Sequence, residues 1–189
     1  MAYPYRSGLV NYSQYKKSFA DLAASSDKKQ IGRFCLGLDR VNAYALDKIK
    51  VPLKTQRGSL YSSVDALYEG NDKRYYFIEF KDQPSGNVDR GRVLAKAVDS
   101  LTISGYMFAN DQTLVDTMRK SVFVLVYDNP DDKFLNALSS LAGPRGAPKD
   151  RYGEAILFGI DRLATSSFYS EVHSWTADAF RKHFISNLP

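Results

Sequence analysis

The chain has 189 residues, a net charge of +5 and one cysteine, Cys35. A chain of this length can bury a hydrophobic core without cross-links, and 44% hydrophobic with 25% charged residues argues against disorder. One cysteine excludes an internal disulfide, and Cys35, among apolar neighbours, is expected to be a small core residue. No apolar run approaches the roughly 20 residues of a membrane helix, and the N-terminus has no signal-peptide pattern. We therefore expect a cytoplasmic protein that does not engage membranes.

The positive charge is concentrated in the first third of the chain. Residues 1–60 contain 11 lysines or arginines, four aspartates and no glutamate, so this segment carries +7 and the other 129 residues carry −2. A basic lobe of this kind predicts attraction to a polyanion such as nucleic acid. The alternative interpretation is an ordinary solvated charged face.

The first part of the chain is predicted to be helical. A short helix is expected around residues 12–24, and a longer amphipathic helix over 28–49, where apolar residues recur every three or four positions. Asp27 is the predicted N-cap of the longer helix, and Pro52 helps to end it.

The pattern then changes to an antiparallel hairpin. Residues 59–68 are predicted to form the first strand and residues 74–82, which are rich in aromatic residues, the second, while residues 69–73 (EGNDK) have turn composition. Asp89 is the predicted N-cap of a helix over residues 90–108, which follows a loop.

The second half alternates strands with helices. It is predicted to contain an apolar strand, a short helix, a mobile loop rich in Gly and Pro, another strand and a final helix, at residues 121–127, 131–141, 143–153, 154–160 and 171–185. The overall order predicts one α/β domain with a mixed sheet flanked by helices. Its parts are an N-terminal helical and basic arm (1–27), a core (28–127) and a completing C-terminal segment (128–189).

Charged residues interrupt the second hairpin strand. Side chains alternate across a strand, so Glu79 and Lys81 share one face, while Ile78 and Phe80 share the other, which is expected to be core. An acidic residue, Asp65, lies on the partner strand.

The length of the hairpin turn decides whether Asp65 can meet Glu79. A five-residue turn over 69–73 or a three-residue turn over 71–73 brings the two carboxylates to one face, and a two-residue turn over 71–72 separates them. The longer turns are both compatible with the segment, in which Gly70 and Asn71 can supply positive φ.

Asp65 followed by a hairpin and then Glu79-Phe80-Lys81 resembles the signature of the PD-(D/E)XK nuclease superfamily, which has the restriction-endonuclease-like fold. The preceding amphipathic helix and the following helix also match that family's order, so the resemblance covers roughly residues 28–127. Val64 stands where the family usually has a proline. The resemblance implies a nuclease that uses Mg²⁺ or Mn²⁺.

The family's roles can be carried over by position. The resemblance implies that Asp65 and Glu79 ligate the metal with the main-chain carbonyl of Phe80, and that Lys81 orients or deprotonates the attacking water. The accessory candidates are Asp39 on the first helix and Lys96 on the helix after the hairpin.

The implied partner is nucleic acid, DNA more than RNA, and a homodimer is possible. Basic residues that could contact phosphates are Arg33, Arg40, Lys54, Arg57, Arg145, Lys149 and Arg151. One alternative is a catalytically inactive module of the same fold that binds nucleic acid or acts as a scaffold, and another is an unrelated α/β protein that binds a different partner through a tyrosine-rich surface. His173 and His183, ten residues apart in the predicted last helix, are not expected to form a zinc pair.

Overall fold

The computed structural model describes residues 12–26, 42–49, 54–55, 58–59, 61–81, 88–108, 113–127 and 146–188. In these residues the chain forms a six-stranded mixed sheet flanked by helices and a separate two-stranded ladder. The predicted mixed α/β architecture is therefore confirmed. Cys35 and Asp39 lie outside the described residues.

The described elements are short apart from one helix and three strands of the sheet. The strands are β1 (Lys16–Ser18), β2 (Asn42–Ala45), β3 (Lys54–Thr55), β4 (Gly58–Ser59), β5 (Ala66–Glu69), β6 (Tyr75–Lys81), β7 (Ser121–Tyr127) and β8 (Glu171–Thr176). The α-helices are α1 (Phe19–Ser26), α2 (Arg90–Met107), α3 (Leu114–Lys120), α4 (Asp161–Thr165) and α5 (Ala177–His183). Turns of 3₁₀-helix cover Tyr12–Tyr15, Leu46–Lys48 and Ile185–Asn187.

The large sheet has the strand order β1-β2-β5-β6-β7-β8. Strands β1, β2, β5 and β6 pair antiparallel in sequence, whereas β7 runs parallel to β6 and β8 runs parallel to β7. Helix α2 lies in the connection from β6 to β7, as parallel neighbours require a crossover. Strand β6 is thus central, with a hairpin partner on one side and a parallel partner on the other.

The hairpin between β5 and β6 has a three-residue loop, residues 71–73. Its closing pair is joined by a hydrogen bond from the Gly70 N–H to the Arg74 carbonyl (2.8 Å). This is one of the two turn lengths that bring Asp65 to the face of Glu79. The positive φ, however, belongs to Lys73 (62°) and not to Gly70 or Asn71 as expected. The loop is a tight turn ending in a left-handed residue, as is common in three-residue hairpins.

Helix α2 forms where its periodicity predicts. The side chain of Asp89 accepts a hydrogen bond from the Arg92 N–H (3.0 Å), which confirms Asp89 as the N-cap. Val93, Ala97 and Leu101 are buried four residues apart and belong to the same core cluster as Phe77 of β6. This stripe holds α2 against the sheet.

The sheet separates two hydrophobic clusters. The cluster on the α2 side contains Phe77 of β6, and the cluster on the other side, with Phe19 of α1 and Phe180 of α5, contains Ile78 and Phe80. The predicted core face of β6 is therefore confirmed. Glu79 and Lys81 belong to the opposite face, toward α2.

The predicted helix over 28–49 is wrong at its C-terminal end, and residues 28–41 lie outside the described residues. Residues 42–45 form β2, in which Tyr44 is opposed by Lys16 on one side and by Leu67 on the other. Pairing along both edges outweighs the local helical pattern. The expected helix over 12–24 is only partly correct, since a 3₁₀ turn and β1 precede α1.

The predicted final helix over 171–185 is wrong in its first half. Residues 171–176 form β8, and α5 begins only at Ala177, where the Thr176 hydroxyl caps the helix by accepting from the Ala179 N–H (3.2 Å). His173 therefore lies on a buried strand, while His183 lies on the helix as expected. The polar residues in β8 conceal its strand character in the sequence.

Two other predictions need correction, and one helix in the described residues between α2 and β7 was missed. The expected strand over 154–160 is broken because Phe158 and Gly159 have positive φ (62° and 70°), and only an isolated bridge at Ala155 remains. The first predicted hairpin strand is shorter than expected, because residues 61–65 are irregular. Helix α3 was not predicted. The predicted helix over 131–141 lies outside the described residues.

Candidate functional site

Asp65 and Glu79 meet at the end of the hairpin away from its turn. Ala66 is opposed by Ile78, and the same register continued by one residue sets Asp65 opposite Glu79. The Asp65 carboxylate accepts a hydrogen bond from the Phe80 backbone N–H (2.8 Å), which ties it to β6. Both carboxylates contact one lysine on α2, so they lie on the same side of the sheet.

Two lysines neutralise Glu79, whose side chain is fully buried. Lys81 Nζ lies 2.6 Å from Oε1 of Glu79. Lys96 Nζ, on α2, donates to Oε1 at 2.7 Å and to Oε2 at 3.0 Å. A buried carboxylate needs such partners, because leaving it uncompensated in the protein interior is unfavourable.

Lys96 also reaches the second carboxylate. Its Nζ lies 3.8 Å from Oδ1 of Asp65, so one ammonium group is shared by Asp65 and Glu79. The four side chains form a compact cluster of two carboxylates and two ammonium groups, and Asp65, Lys81 and Lys96 are only slightly exposed. Of the two accessory candidates, Lys96 joins the cluster.

Burial and the charge of Glu79 raise the pKa of Asp65 to about 7. Lys96, the Phe80 N–H and Lys81 act in the opposite direction but do not cancel these effects. The Asp65 carboxyl can therefore take up or release a proton near neutral pH. Perturbed acid groups of this kind often occur at functional sites, although ion-pair networks also produce them.

Helix α2 supports the segment that precedes Asp65. Ser100 Oγ accepts from the Val64 N–H (2.9 Å) and donates to the Lys96 carbonyl (2.7 Å). Asp99 Oδ2 accepts from the backbone N–H (2.9 Å) and the hydroxyl (3.2 Å) of Ser62. Neither Asp99 nor Ser100 was predicted from the sequence. Their spacing from Lys96, three and four positions along one side of a helix, is the signal that could have indicated them.

The donor set suits a hard divalent cation. In the part of the chain that the structure describes, no group of three or more His, Cys, Asp or Glu side chains is placed to hold a metal ion. Asp65 and Glu79 nevertheless supply carboxylate oxygens, and Mg²⁺ is often bound by one or two carboxylates with water and substrate oxygens completing its shell. In the structure the ammonium group of Lys96 already contacts carboxylate oxygens of both Asp65 and Glu79.

Most of the basic residues that were predicted to contact phosphates lie outside the described residues. Arg33, Arg40, Arg57 and Arg145 lie outside the described residues, and Lys54 is described only as part of the β3 backbone. Lys149 is exposed on the isolated bridge.

Arg151 is exposed but points to another region. Its guanidinium lies over the Tyr152 ring (4.8 Å) and 3.4 Å from Glu171. Tyr152 in turn contacts the rings of His173 and Trp175, on the sheet face opposite to Glu79. The structure therefore does not bring Arg151 to the carboxylate pair.

A second polar cluster surrounds His173. Oδ2 of Asp150 lies 2.7 Å from His173 Nδ1 and accepts from Trp175 Nε1 (2.8 Å). Nε2 of His173 is buried without a hydrogen bond and lies 3.4 Å from Glu171. Burial lowers the pKa of His173, although Asp150 opposes the shift. Asp150 thus holds the end of the loop predicted to be mobile against His173 and Trp175 of β8.

An open pocket of about 400 Å³ lies beside this second cluster. Its aromatic walls are formed by Tyr68, Tyr76, Tyr152, Trp175 and Phe184. Several of these rings pack on one another, and the pocket is on the sheet face remote from Glu79.

Comparison with protein-family models, curated protein sequences and solved structures finds no match to this chain. None of the described helices is both long and apolar enough to cross a membrane. Assignment of a function therefore rests on the geometry of the site and on the resemblance of its motif.

Proposed function

We propose that the protein is a metal-dependent phosphodiesterase that cleaves nucleic acid, DNA in preference to RNA. The observation that carries this proposal is the convergence of Asp65 and Glu79 on one ammonium group, with Lys81 beside them at the end of a central strand. A surface ion pair between Glu79 and Lys81 would not require a buried glutamate or a second acidic residue.

The topology around the site supports the same proposal. Strands β2, β5 and β6 form an antiparallel meander, α2 follows, and β7 returns parallel to β6. This order resembles the core of the restriction-endonuclease-like fold, which we propose for this chain. In that arrangement the carboxylates belong at the end of β5 and β6 nearest the connection to α2, where Asp65 and Glu79 are found.

The proposed chemistry divides the roles among three residues. Asp65 and Glu79 hold Mg²⁺ or Mn²⁺, with the Phe80 carbonyl as a third candidate ligand. The bound cation supplies Lewis acidity, since it polarises a phosphoryl oxygen and lowers the pKa of a water molecule. Lys81, about one-fifth exposed, would orient the attacking water, whose proton passes to solvent, and its ammonium would donate hydrogen bonds to the phosphoryl oxygens, on which negative charge develops.

The distribution of charge favours a polyanionic substrate. The first 60 residues carry a net charge of +7, and phosphate contacts from lysine and arginine supply a large share of the affinity for nucleic acid. The affinity for DNA is therefore expected to fall steeply with salt concentration.

A nuclease assay tests the proposal. Wild-type protein, Glu79→Gln, Lys81→Met and the control Lys182→Met are incubated with single- and double-stranded DNA and with RNA, with and without Mg²⁺. Lys182 is exposed on α5 and its loss removes one charge far from the site. We expect Mg²⁺-dependent cleavage by wild type and Lys182→Met, and at least about a 100-fold loss in the two site variants. Equal cleavage by all four proteins, or cleavage by none, would contradict the proposal.

The second candidate function is an inactive nuclease-like module that binds nucleic acid or serves as a scaffold. It is favoured by one specific observation, which is that both oxygens of Glu79 already have lysine partners. Calorimetric titration with Mn²⁺ separates the two candidates. An active site binds Mn²⁺ in wild type and not in Glu79→Gln, whereas an inactive module shows no binding that depends on Glu79.

A further inference from the structure

Lys96 places its ammonium within reach of both carboxylates of this site. Its ammonium contacts both oxygens of Glu79 and lies 3.8 Å from Asp65. Lys81 touches Glu79 through Oε1, and no Lys81–Asp65 ion pair is found in the described cluster. Lys96 is therefore the cation shared by the two carboxylates.

The backbone that carries Lys96 is fixed, but its side chain is long. Val93 and Ala97 are completely buried on either side of it along α2, and the Ser100 hydroxyl binds its carbonyl. The Lys96 side chain is 14% exposed, so its ammonium can reach solvent by rotation of the aliphatic stem. The ammonium is thus joined to a fixed helix by a flexible four-carbon stem.

A divalent metal ion and the Lys96 ammonium compete for the same oxygens. Mg²⁺ binds carboxylate oxygens at about 2.0–2.1 Å, which leaves no room for an ammonium on the same lone pairs of Glu79. If Lys81 and Lys96 both stayed in place, the two carboxylates would also face four positive charges, two from the divalent ion and one from each lysine. This repulsion is strong at short range in a partly buried site.

We propose that Lys96 is a built-in competitor of the metal ion and sets the metal affinity of the site. Metal binding displaces the Lys96 ammonium from between Asp65 and Glu79 toward solvent, where a phosphate of the substrate can accept it. The inference rests on the proposed metal-dependent function and adds to it a residue that controls when the metal binds.

Metal titration of matched variants tests the inference. Mn²⁺ binding is measured by calorimetry for wild type, Lys96→Met, Lys96→Gln, Arg92→Met and Glu79→Gln, with folding checked by circular dichroism. Arg92 is exposed one turn before Lys96 on α2, so Arg92→Met removes a nearby charge that is not between the carboxylates. Lys96→Gln also removes the positive charge but keeps a hydrogen-bond donor for Glu79. It can therefore be titrated even if Lys96→Met does not fold.

Removal of the competing ammonium is expected to tighten Mn²⁺ binding by about tenfold or more in the folded Lys96 variants. Arg92→Met should stay within about twofold of wild type because its charge is exposed and screened. Wild-type affinity, or weaker binding, in the Lys96 variants would overturn the inference while leaving the proposed metal site intact. Absence of Glu79-dependent binding in every protein would overturn the inference and the proposed function together.

Discussion

Lys96 donates hydrogen bonds to both carboxylate oxygens of Glu79, at 2.7 and 3.0 Å, although the two residues come from different layers of the fold. The contact joins α2 to the central strand β6 at a point where the glutamate is completely buried. It makes the stability of the folded chain dependent on the same groups that form the candidate site.

The Lys96–Glu79 pair should therefore be energetically coupled. We expect Lys96→Met to lower the free energy of unfolding by about 3 kcal/mol, because it leaves Glu79 with one fewer partner in a buried site. In a double-mutant cycle with Glu79→Gln, the double variant should lose less than the sum of the single changes by about 1–3 kcal/mol. Urea denaturation gives the free energy of unfolding of wild type, the two single variants and the double variant. Lys182→Met, which removes an exposed lysine, is the control. Strict additivity would show that the pair is screened by solvent.

Asp65 should make stability depend on pH. Its pKa in the folded protein is about 7, above the usual value of 3.8, so the folded state binds more protons than the unfolded state between these values. The contribution of Asp65 to the free energy of unfolding is therefore complete below its usual pKa and is lost as the pH rises through its folded pKa. Asp65→Asn should remove the part of the pH dependence that comes from Asp65. The difference in the free energy of unfolding between wild type and Asp65→Asn should therefore change between about pH 4 and pH 8.

Denaturation at a series of pH values provides the measurement for Asp65. Asp178→Asn serves as the control, because that carboxylate is 71% exposed on α5. If the pH profiles of wild type and Asp65→Asn remain parallel, the pKa of Asp65 is not raised by its surroundings.

The hairpin turn has a residue that is unsuited to its conformation. Lys73 has a φ of 62°, which a side chain with a Cβ adopts only at some energetic cost. Lys73→Gly should raise the free energy of unfolding by about 0.5–1 kcal/mol, whereas Lys73→Val should lower it. The control is Asn71→Gly, at a loop position without positive φ, which should not stabilise the protein. A destabilised Lys73→Gly variant in thermal denaturation would show that the left-handed turn does not form.

The hairpin and α2 could be predicted because their signals are local. Alternating residues in β6, a turn segment and an N-capping Asp89 each lie within a few positions of the structure that they specify. The candidate trio of Asp65, Glu79 and Lys81 follows from that local pattern once the turn length is known. The choice between the two possible turn lengths, however, had to come from the structure.

Strands β2 and β8 could not be predicted because distant partners determine them. Tyr44 is held between β1 and β5, and its own segment has the period of a helix. In β8, His173 and Trp175 are tolerated in the interior only because Asp150, more than twenty residues earlier, accepts their hydrogen bonds. The central place of Lys96 also depends on how α2 packs on the sheet, which no spacing in the sequence specifies.

The displaced Lys96 ammonium should couple metal binding to nucleic-acid binding. A phosphate group that accepts Lys96 removes the competitor from Asp65 and Glu79, so each ligand should increase the affinity for the other by the same factor. We expect a DNA duplex with a phosphorothioate backbone, which is hydrolysed more slowly than natural DNA, to tighten Mn²⁺ binding to wild type by about fivefold or more. Lys96→Met should retain only the smaller coupling that arises from direct contact between cation and phosphate. Calorimetric Mn²⁺ titrations with and without the duplex measure both factors, and equal coupling in the two proteins would contradict the displacement of Lys96 by the metal ion.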